Sequence, residues 1–225
     1  MEPIQQVDRL KSRTHWSLYV IVKRLVDVVA ASVGLMVMGP LMVLVAIGIR
    51  ATMGSPVLFR QRRPGLNGRL FTVLKFRTMS VDRDRERQSQ FDAHRVTPLG
   101  HILRQNSLDE LPQLFNVLRG DMSLVGPRPL LPEYLPYYSQ RESLRHTVRP
   151  GITGWAQVNG RNRLSWDERL ALDAWYAEHR SMCLDFRILY LTAIRVLQRR
   201  DISLDPQVSL LPLDRERSHS VTLPR

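Results

Sequence analysis

From Val28 to Ile49 the chain runs for 22 residues without a formal charge, and no other feature limits its fold as much. Lys23, Arg24 and Asp27 precede the run and Arg50 closes it. A helix of that length rises about 33 Å, enough for a hydrocarbon core of about 30 Å, so the run reads as a membrane segment. A cleaved signal peptide fits less well. A long stretch precedes the run, the run exceeds a usual h-region, and no small-x-small site follows it.

Two features stand against a simple span. Pro40, near the middle, removes an amide hydrogen bond and sets its ring against the carbonyl of Met36, while Gly39 beside it loosens the chain. Basic residues also lie on both flanks. Lys23 and Arg24 come before, and Arg50, Arg60, Arg62, Arg63, Arg69, Lys75 and Arg77 follow with no acid between Arg50 and Arg77, so both flanks read as cytoplasmic. A straight, proline-kinked transmembrane helix would have to export one basic flank. A helix-break-helix that dips into one leaflet keeps both inside, because each arm, at most about 15 residues and about 22 Å, is too short to cross alone. The residues alone leave both readings open.

Charge narrows the partners. Against 33 Lys+Arg stand 21 Asp+Glu, a formal +12, which predicts polyanionic company: nucleic acid, an anionic membrane face or a phosphorylated substrate. The single cysteine, Cys183, excludes an intramolecular disulfide framework and a cysteine-rich zinc site, and fits a reducing, cytosol-facing location. With 225 residues and 44% apolar composition, the chain has room for one domain plus a short appendage.

After the membrane segment, two β-prone runs, Val57 to Gln61 and Leu70 to Phe76, flank a Pro64-Gly65-Leu66-Asn67-Gly68 turn and read as a hairpin. Asp82 to Arg95 reads as a solvated loop or surface helix. Leu108 to Leu118 has apolar residues at 111, 114, 115 and 118, helical spacing with one buried face, and Gly120 is a stop signal. A short helix near Glu133 to Tyr138 is curtailed by Pro136, and a long turn-rich stretch from His146 to Arg163 is of the kind that carries binding groups. Helices resume at Trp166 to Arg180 and Leu184 to Arg199; from Asp201 onward the tail is polar and reads as loosely ordered.

Walker A, GxGxxG, HExxH and GxSxG signatures are missing. The notable polar group is Arg104-Gln-Asn-Ser-Leu-Asp109-Glu110-Leu-Pro112. Pro112 is comfortable only in a first helical turn, which places a helix start near Asp109. In the bland reading Asp109 is an N-cap and Glu110 a favourable first-turn acid. In the functional one, adjacent carboxylates hold a hard divalent cation and one attacks a phosphoryl centre. Arg128, framed by Pro127 and Pro129, is either a surface or carboxylate-paired arginine or part of a diphosphate clamp.

Taken together these motifs closely resemble the bacterial sugar transferases, the small monotopic polyprenyl-phosphate phosphoglycosyl transferases. The resemblance covers about residues 23 to 200 and rests on an ordered set: Lys23-Arg-Leu-Val-Asp27, Phe59-Arg-Gln-Arg with Lys75-Phe-Arg-Thr-Met79, Ser107-Leu-Asp-Glu-Leu-Pro-Gln-Leu114, Gly120-Asp-Met-Ser-Leu-Val-Gly-Pro-Arg-Pro-Leu130, Arg149 to Arg161, and Leu172-Asp-Ala-Trp-Tyr176. It implies an α+β fold: a monotopic membrane protein with an N-terminal re-entrant helix-break-helix, a β-hairpin and a mainly helical cytosolic catalytic domain. The corresponding boundaries are an N-terminal tail at 1–22, a re-entrant helix at 23–50, the catalytic domain at 51–200 and a flexible C-terminal tail at 201–225.

The resemblance also implies a reaction. Asp109 would attack the phosphate of a UDP-sugar and keep the phosphosugar while UMP departs, and polyprenyl (undecaprenyl) phosphate would then take the phosphosugar to give a polyprenyl diphosphate sugar. Asp109 and Glu110 would hold Mg²⁺, Arg128 would contact the nucleotide part, and Lys75, Arg104, Arg161 and Asp185 would line the site. The implied place is the bacterial cytoplasmic membrane, with the catalytic domain facing the cytoplasm, in glycoconjugate or exopolysaccharide assembly. The family break is often Ser-Pro; here it is Gly39-Pro40, so a serine hydroxyl cannot satisfy the carbonyl the proline frees. The chain looks like the minimal form, with homo-oligomerisation left open. The competing class is a non-enzymatic basic membrane adaptor for anionic lipid or nucleic acid. Nucleic acid is not expected as a partner, since no recognition signature is present and aromatics are 7%.

Overall fold

A computed structural model describes residues 3–80, 95–160, 164–198 and 212–221. Its first element is one long helix, α1 (Pro3–Met53). Between Pro3 and Gly34 no glycine or proline interrupts the sequence, so the stretch expected as a tail is helical from Pro3 onward. The helix also continues through Gly39 and Pro40. A proline deletes one amide and crowds one carbonyl, which perturbs a helix without having to end it. Within α1, Leu18–Met53 is long and apolar enough to cross a membrane, and little of its most apolar window is buried in the protein. That bare surface supports membrane association; Met36, beside Pro40, is 81% exposed.

One face of α1 is nevertheless docked on the rest of the protein at separate places. Ala31 packs with Val117 and Met122, and further along Val45 and Ile49 pack with Phe76 and Leu103. Polar joints close both ends. The Arg24 guanidinium donates to the carbonyls of Val117 at 2.6 Å and Leu118 at 2.9 Å. Asp27 Oδ1 accepts from the amide of Leu124 at 3.0 Å, and Arg77 donates to the carbonyls of Met53 and Gly54 just where α1 stops. A guanidinium at a helix end offers several donors to carbonyls that have no intrahelical partner.

The expected hairpin is present: β1 (Leu58–Pro64) pairs antiparallel with β2 (Leu70–Phe76), from Leu58 opposite Phe76 to Pro64 opposite Leu70. α2 (Pro98–Gln105) follows, capped by the Thr97 hydroxyl. Next come a 3-10 turn at Leu108–Glu110 and α3 (Gln113–Arg119). The α-helix thus begins after Pro112 rather than near Asp109. Ser107 is left-handed, with φ 55°, and the chain closes a tight 3-10 turn before it can settle into α3. Gly120, with φ 89°, ends α3 as its sequence position suggests.

Asn116, fully buried in α3, acts as a substitute strand along β2. Its Oδ1 accepts from the Leu74 amide at 3.0 Å and its Nδ2 donates to the Thr72 carbonyl at 2.7 Å. This locks the hairpin to α3. A second small sheet pairs β3 (Ser123–Val125) in parallel with β4 (Gly151–Thr153). The stretch expected to be irregular therefore contains β4 and the short α4 (Trp155–Val158). Two 3-10 segments, Pro132–Tyr137 and Glu142–Thr147, carry the chain between the strands. α5 (Trp166–His179), with a Ser165–Glu168 capping box, and α6 (Met182–Leu197), capped by Ser181, match the helices read from the sequence to within two residues.

The C-terminal tail needs correction where it is described. Leu213–Val221 forms helix α7, and Leu213 is fully buried in a cluster with Leu130, Tyr134, Trp166 and Leu170. Arg217 fastens it through Glu142 at 2.7 Å and the Tyr137 carbonyl at 2.6 Å. An apolar anchor and an ion pair outweigh a polar composition. Residues 81–94, most of the stretch read as a solvated loop, lie outside the described residues.

Asn116→Ala leaves the buried amide of Leu74 and the partly buried carbonyl of Thr72 without these partners, so it should cost about 2 kcal/mol. In detergent this is read as a fall of roughly 4–8 °C in Tm. An unchanged midpoint would mean that water replaces the side-chain amide.

Candidate active site

The 3-10 turn that carries Asp109 and Glu110 is hung between α2 and α3 and faces β2. Lys75 lies on β2 next to Leu74, so the Asn116 lock also fixes where its side chain emerges. Lys75 Nζ donates to Glu110 Oε1 at 2.7 Å, and Arg128 Nη2 donates to the same oxygen at 2.6 Å. Arg128 comes from the loop after β3. That loop can run flush against the chain entering β4 because Gly126 and Gly151 meet backbone to backbone; a Cβ on either would collide with the other segment. Arg104, on α2, donates from Nε to Thr78 Oγ1 at 2.9 Å and stands close enough to interact with the Asp109 charge.

The two adjacent carboxylates are in opposite electrostatic states. Burial opposes the charge on Glu110, but Arg128 and Lys75 overcome it and hold the carboxyl far below the usual carboxylate range. For Asp109, burial and the Glu110 charge push the carboxyl up, and Lys75, Arg128 and Arg104 only partly offset them. Burial also lowers the Lys75 ammonium, with Glu110 opposing. Among the described residues no donor hydrogen-bonds to either oxygen of Asp109 or to Glu110 Oε2. Pairs pushed apart in this way are a mark of divided chemical labour.

The same uncommitted oxygens bear on a divalent cation. Mg²⁺ takes hard oxygen ligands, commonly one or two carboxylates with substrate phosphates and water. Asp109 and Glu110 Oε2 fit that role. Among the described residues no group of three or more His, Cys, Asp or Glu gathers into a closed cage, so further ligands would come from substrate and water.

Of the residues singled out in the sequence, the structure brings Lys75, Arg104, Asp109, Glu110 and Arg128 together. Asp185 belongs to a different cluster: it accepts from Lys23 Nζ at 2.7 Å, Tyr19 OH at 2.9 Å and Tyr176 OH at 2.6 Å, joining α6 to α1 and α5. Arg161 lies outside the described residues. Sequence reasoning missed Asn116, and it missed the buried pair of Arg145 and Asp173 next to Arg128. Asp173 sat in a quoted motif; Arg145 gave no signal. On the helices that flank the turn, Ile102 of α2 and Phe115 of α3 are exposed large apolar residues.

A family model described as bacterial sugar transferase matches residues 18–199. Among curated proteins, the uncharacterized sugar transferase EpsL of Bacillus subtilis is 50% identical over 79% of this chain and 88% of its own length. The UDP-glucose:undecaprenyl-phosphate glucose-1-phosphate transferase of Xanthomonas campestris is 44% identical over 81% of this chain but 40% of its own length. The protein of the same name from Caulobacter vibrioides is 44% identical over 78% of this chain and 69% of its own length.

The opposed states of the two acids should appear in stability without any substrate. Glu110→Gln strands two cations and should cost about 2 kcal/mol, whereas Asp109→Asn relieves a charge that burial and Glu110 disfavour and should be neutral or stabilising. Because the Asp109 carboxyl is raised in the folded protein, any gain from Asp109→Asn should shrink as pH falls through its folded value. Denaturation of both variants at neutral and mildly acidic pH checks this; equal losses at the two positions would contradict it.

Proposed function

The chain belongs to the bacterial sugar transferase family, and from that premise we propose that it moves a phosphosugar from a UDP-sugar to polyprenyl (undecaprenyl) phosphate through a covalent aspartyl intermediate. The observation that carries this reading is the unequal pair: Glu110 Oε1 is held by two cations, while half-buried Asp109, its carboxyl pushed up by burial and by Glu110, has no hydrogen-bond partner among the described residues. A carboxylate with no hydrogen bonds to give up is a better nucleophile than one held by two.

In the first half-reaction an oxygen of Asp109 attacks the phosphorus that bears the sugar. The bond from that phosphorus to the UMP oxygen breaks, and UMP leaves with the electron pair. In the second, a phosphate oxygen of the polyprenyl phosphate attacks the same phosphorus, the Asp109–phosphorus bond breaks, and the carboxylate is restored. Lys75, Arg128 and Arg104 surround the turn with the positive charge that two such transfers need. Mg²⁺ held by Asp109 and Glu110 would add charge neutralisation at the diphosphate.

The membrane part of the proposal is that α1 enters one leaflet and keeps both ends on the cytoplasmic side. Its support is that one small domain holds α1 on both sides of the uncharged run, at Lys23, Arg24 and Asp27 before it and at Met53 and Gly54 after it. A perpendicular span would separate those points by the thickness of the bilayer. Around the middle of α1 a Cβ at Gly39 would meet nothing within 4 Å.

UDP-sugar and Mg²⁺ without polyprenyl phosphate should give a stoichiometric burst of UMP and a protein mass raised by one phosphosugar, and Asp109→Asn should abolish both. UMP that appears only when both substrates are present would assign a direct displacement instead. No UMP from any UDP-sugar would favour the adaptor reading. For topology, cysteines introduced singly at Ser12 and Thr52 in a Cys183→Ser background should both be labelled from the cytoplasmic side alone; labelling of either from outside refutes the one-leaflet arrangement.

A further inference from the structure

Arg145 and Asp173 form the most deeply buried ion pair among the described residues, with both side chains 2% exposed. Arg145 sits in the 3-10 segment Glu142–Thr147 and Asp173 in α5. Neither touches Asp109 or Glu110. An ion pair buried in this way is a weak source of stability, because desolvation of both charges offsets their attraction. Its other contacts show what it holds. Arg145 Nη2 donates to Asp173 Oδ2 at 2.8 Å and also to the backbone carbonyl of Arg128 at 2.6 Å, while Nη1 donates to the Tyr138 hydroxyl at 3.0 Å.

The carbonyl of Arg128 is an unusual place for such a bond. It belongs to the peptide joining Arg128 to Pro129, which has no N–H. Rotation of that peptide can be resisted by a hydrogen bond only through its oxygen, and Arg145 takes that oxygen. The plane of the peptide fixes the backbone from which the Arg128 side chain leaves toward Glu110 Oε1. Asp173 in turn keeps the Arg145 fork from turning elsewhere; burial pushes its carboxyl up and Arg145 opposes that push.

We propose that Arg145 and Asp173 are positioning residues that hold the Arg128 backbone so that its guanidinium is presented to the donor diphosphate. The proposal rests on the phosphotransfer reading above for what Arg128 meets, but the geometry it describes exists in the free protein. Arg145 acts through Arg128 and has no contact with substrate of its own.

Two measurements on the full chain in detergent test it. The first is a double-mutant cycle on kcat/KM for UDP-sugar. Arg145→Lys keeps the charge for Asp173 but loses the fork that reaches the Arg128 carbonyl as well, and should lower kcat/KM about tenfold. In an Arg128→Ala background the same change should cost less than about twofold, since there is no guanidinium left to misplace. Losses that multiply in the double variant would assign Arg145 a merely structural role and overturn the proposal. Should Arg145→Lys fail to fold, the isosteric Asp173→Asn carries the same cycle.

The second measurement needs no turnover. Phenylglyoxal modification followed by peptide mass analysis should show Arg128 reacting several-fold faster in Asp173→Asn than in the parent chain, with the exposed Arg141 as internal standard. Unchanged reactivity of Arg128 overturns the proposal whatever the enzyme does. If Arg128 is released as expected but the parent chain yields no UMP from any UDP-sugar, the positioning pair stands and the phosphotransfer reading falls.

Discussion

A single carboxylate oxygen holds the centre of this protein together. Glu110 Oε1 receives Lys75 from the hairpin and Arg128 from the loop after β3, so three segments distant in sequence meet on one atom. Two cations on one acid leave an excess of positive charge beside Asp109, which only partly offsets what burial and the Glu110 charge do to that carboxyl. Lys75 and Arg128 against Asp109 and Glu110 sum to neutrality, and Arg104 tips the turn positive. The site is thus compensated when empty and still attractive to a phosphate group, a state that neither acid would produce alone.

Much of this was legible because the signals are local. The hairpin follows from two β-prone runs around a glycine-rich turn, and the end of α3 from Gly120. The order of motifs added Lys75, Arg104 and Arg128 to the Asp109–Glu110 turn. What escaped was long-range. Nothing around Asn116 announces that its amide pairs with a strand 42 residues away, and nothing around Arg145 points to Asp173. The late start of α3 escaped for a subtler reason: Pro112 suits a first turn, but the left-handed Ser107 uses up the preceding residues in a 3-10 turn. In the tail, polar composition hid the one residue, Leu213, that finds a core.

α1 shows how one pattern can serve two ends. Lys23, Arg24 and Asp27 read as the charged collar of a membrane segment, and in the fold each is also a joint to the domain: Lys23 to Asp185, Arg24 to the end of α3, Asp27 to the amide of Leu124. Charges that stop a helix from sliding deeper into lipid thereby also set its angle against the rest of the molecule. Asp185, which the motif comparison put among the site residues, is the far side of that joint.

Ile102 and Phe115 are exposed apolar residues on the two helices that bracket the Asp109–Glu110 turn. In the proposed one-leaflet arrangement, a turn framed by such side chains would lie at the rim of the bilayer, where a polyprenyl-anchored phosphate would arrive by sliding sideways. Such a search is two-dimensional. The relevant abundance is the mole fraction of carrier among the lipids, and diluting the vesicles in buffer leaves it untouched. A soluble sugar nucleotide arriving from the other direction still obeys bulk concentration, so the two substrates of one site would be counted in different dimensions.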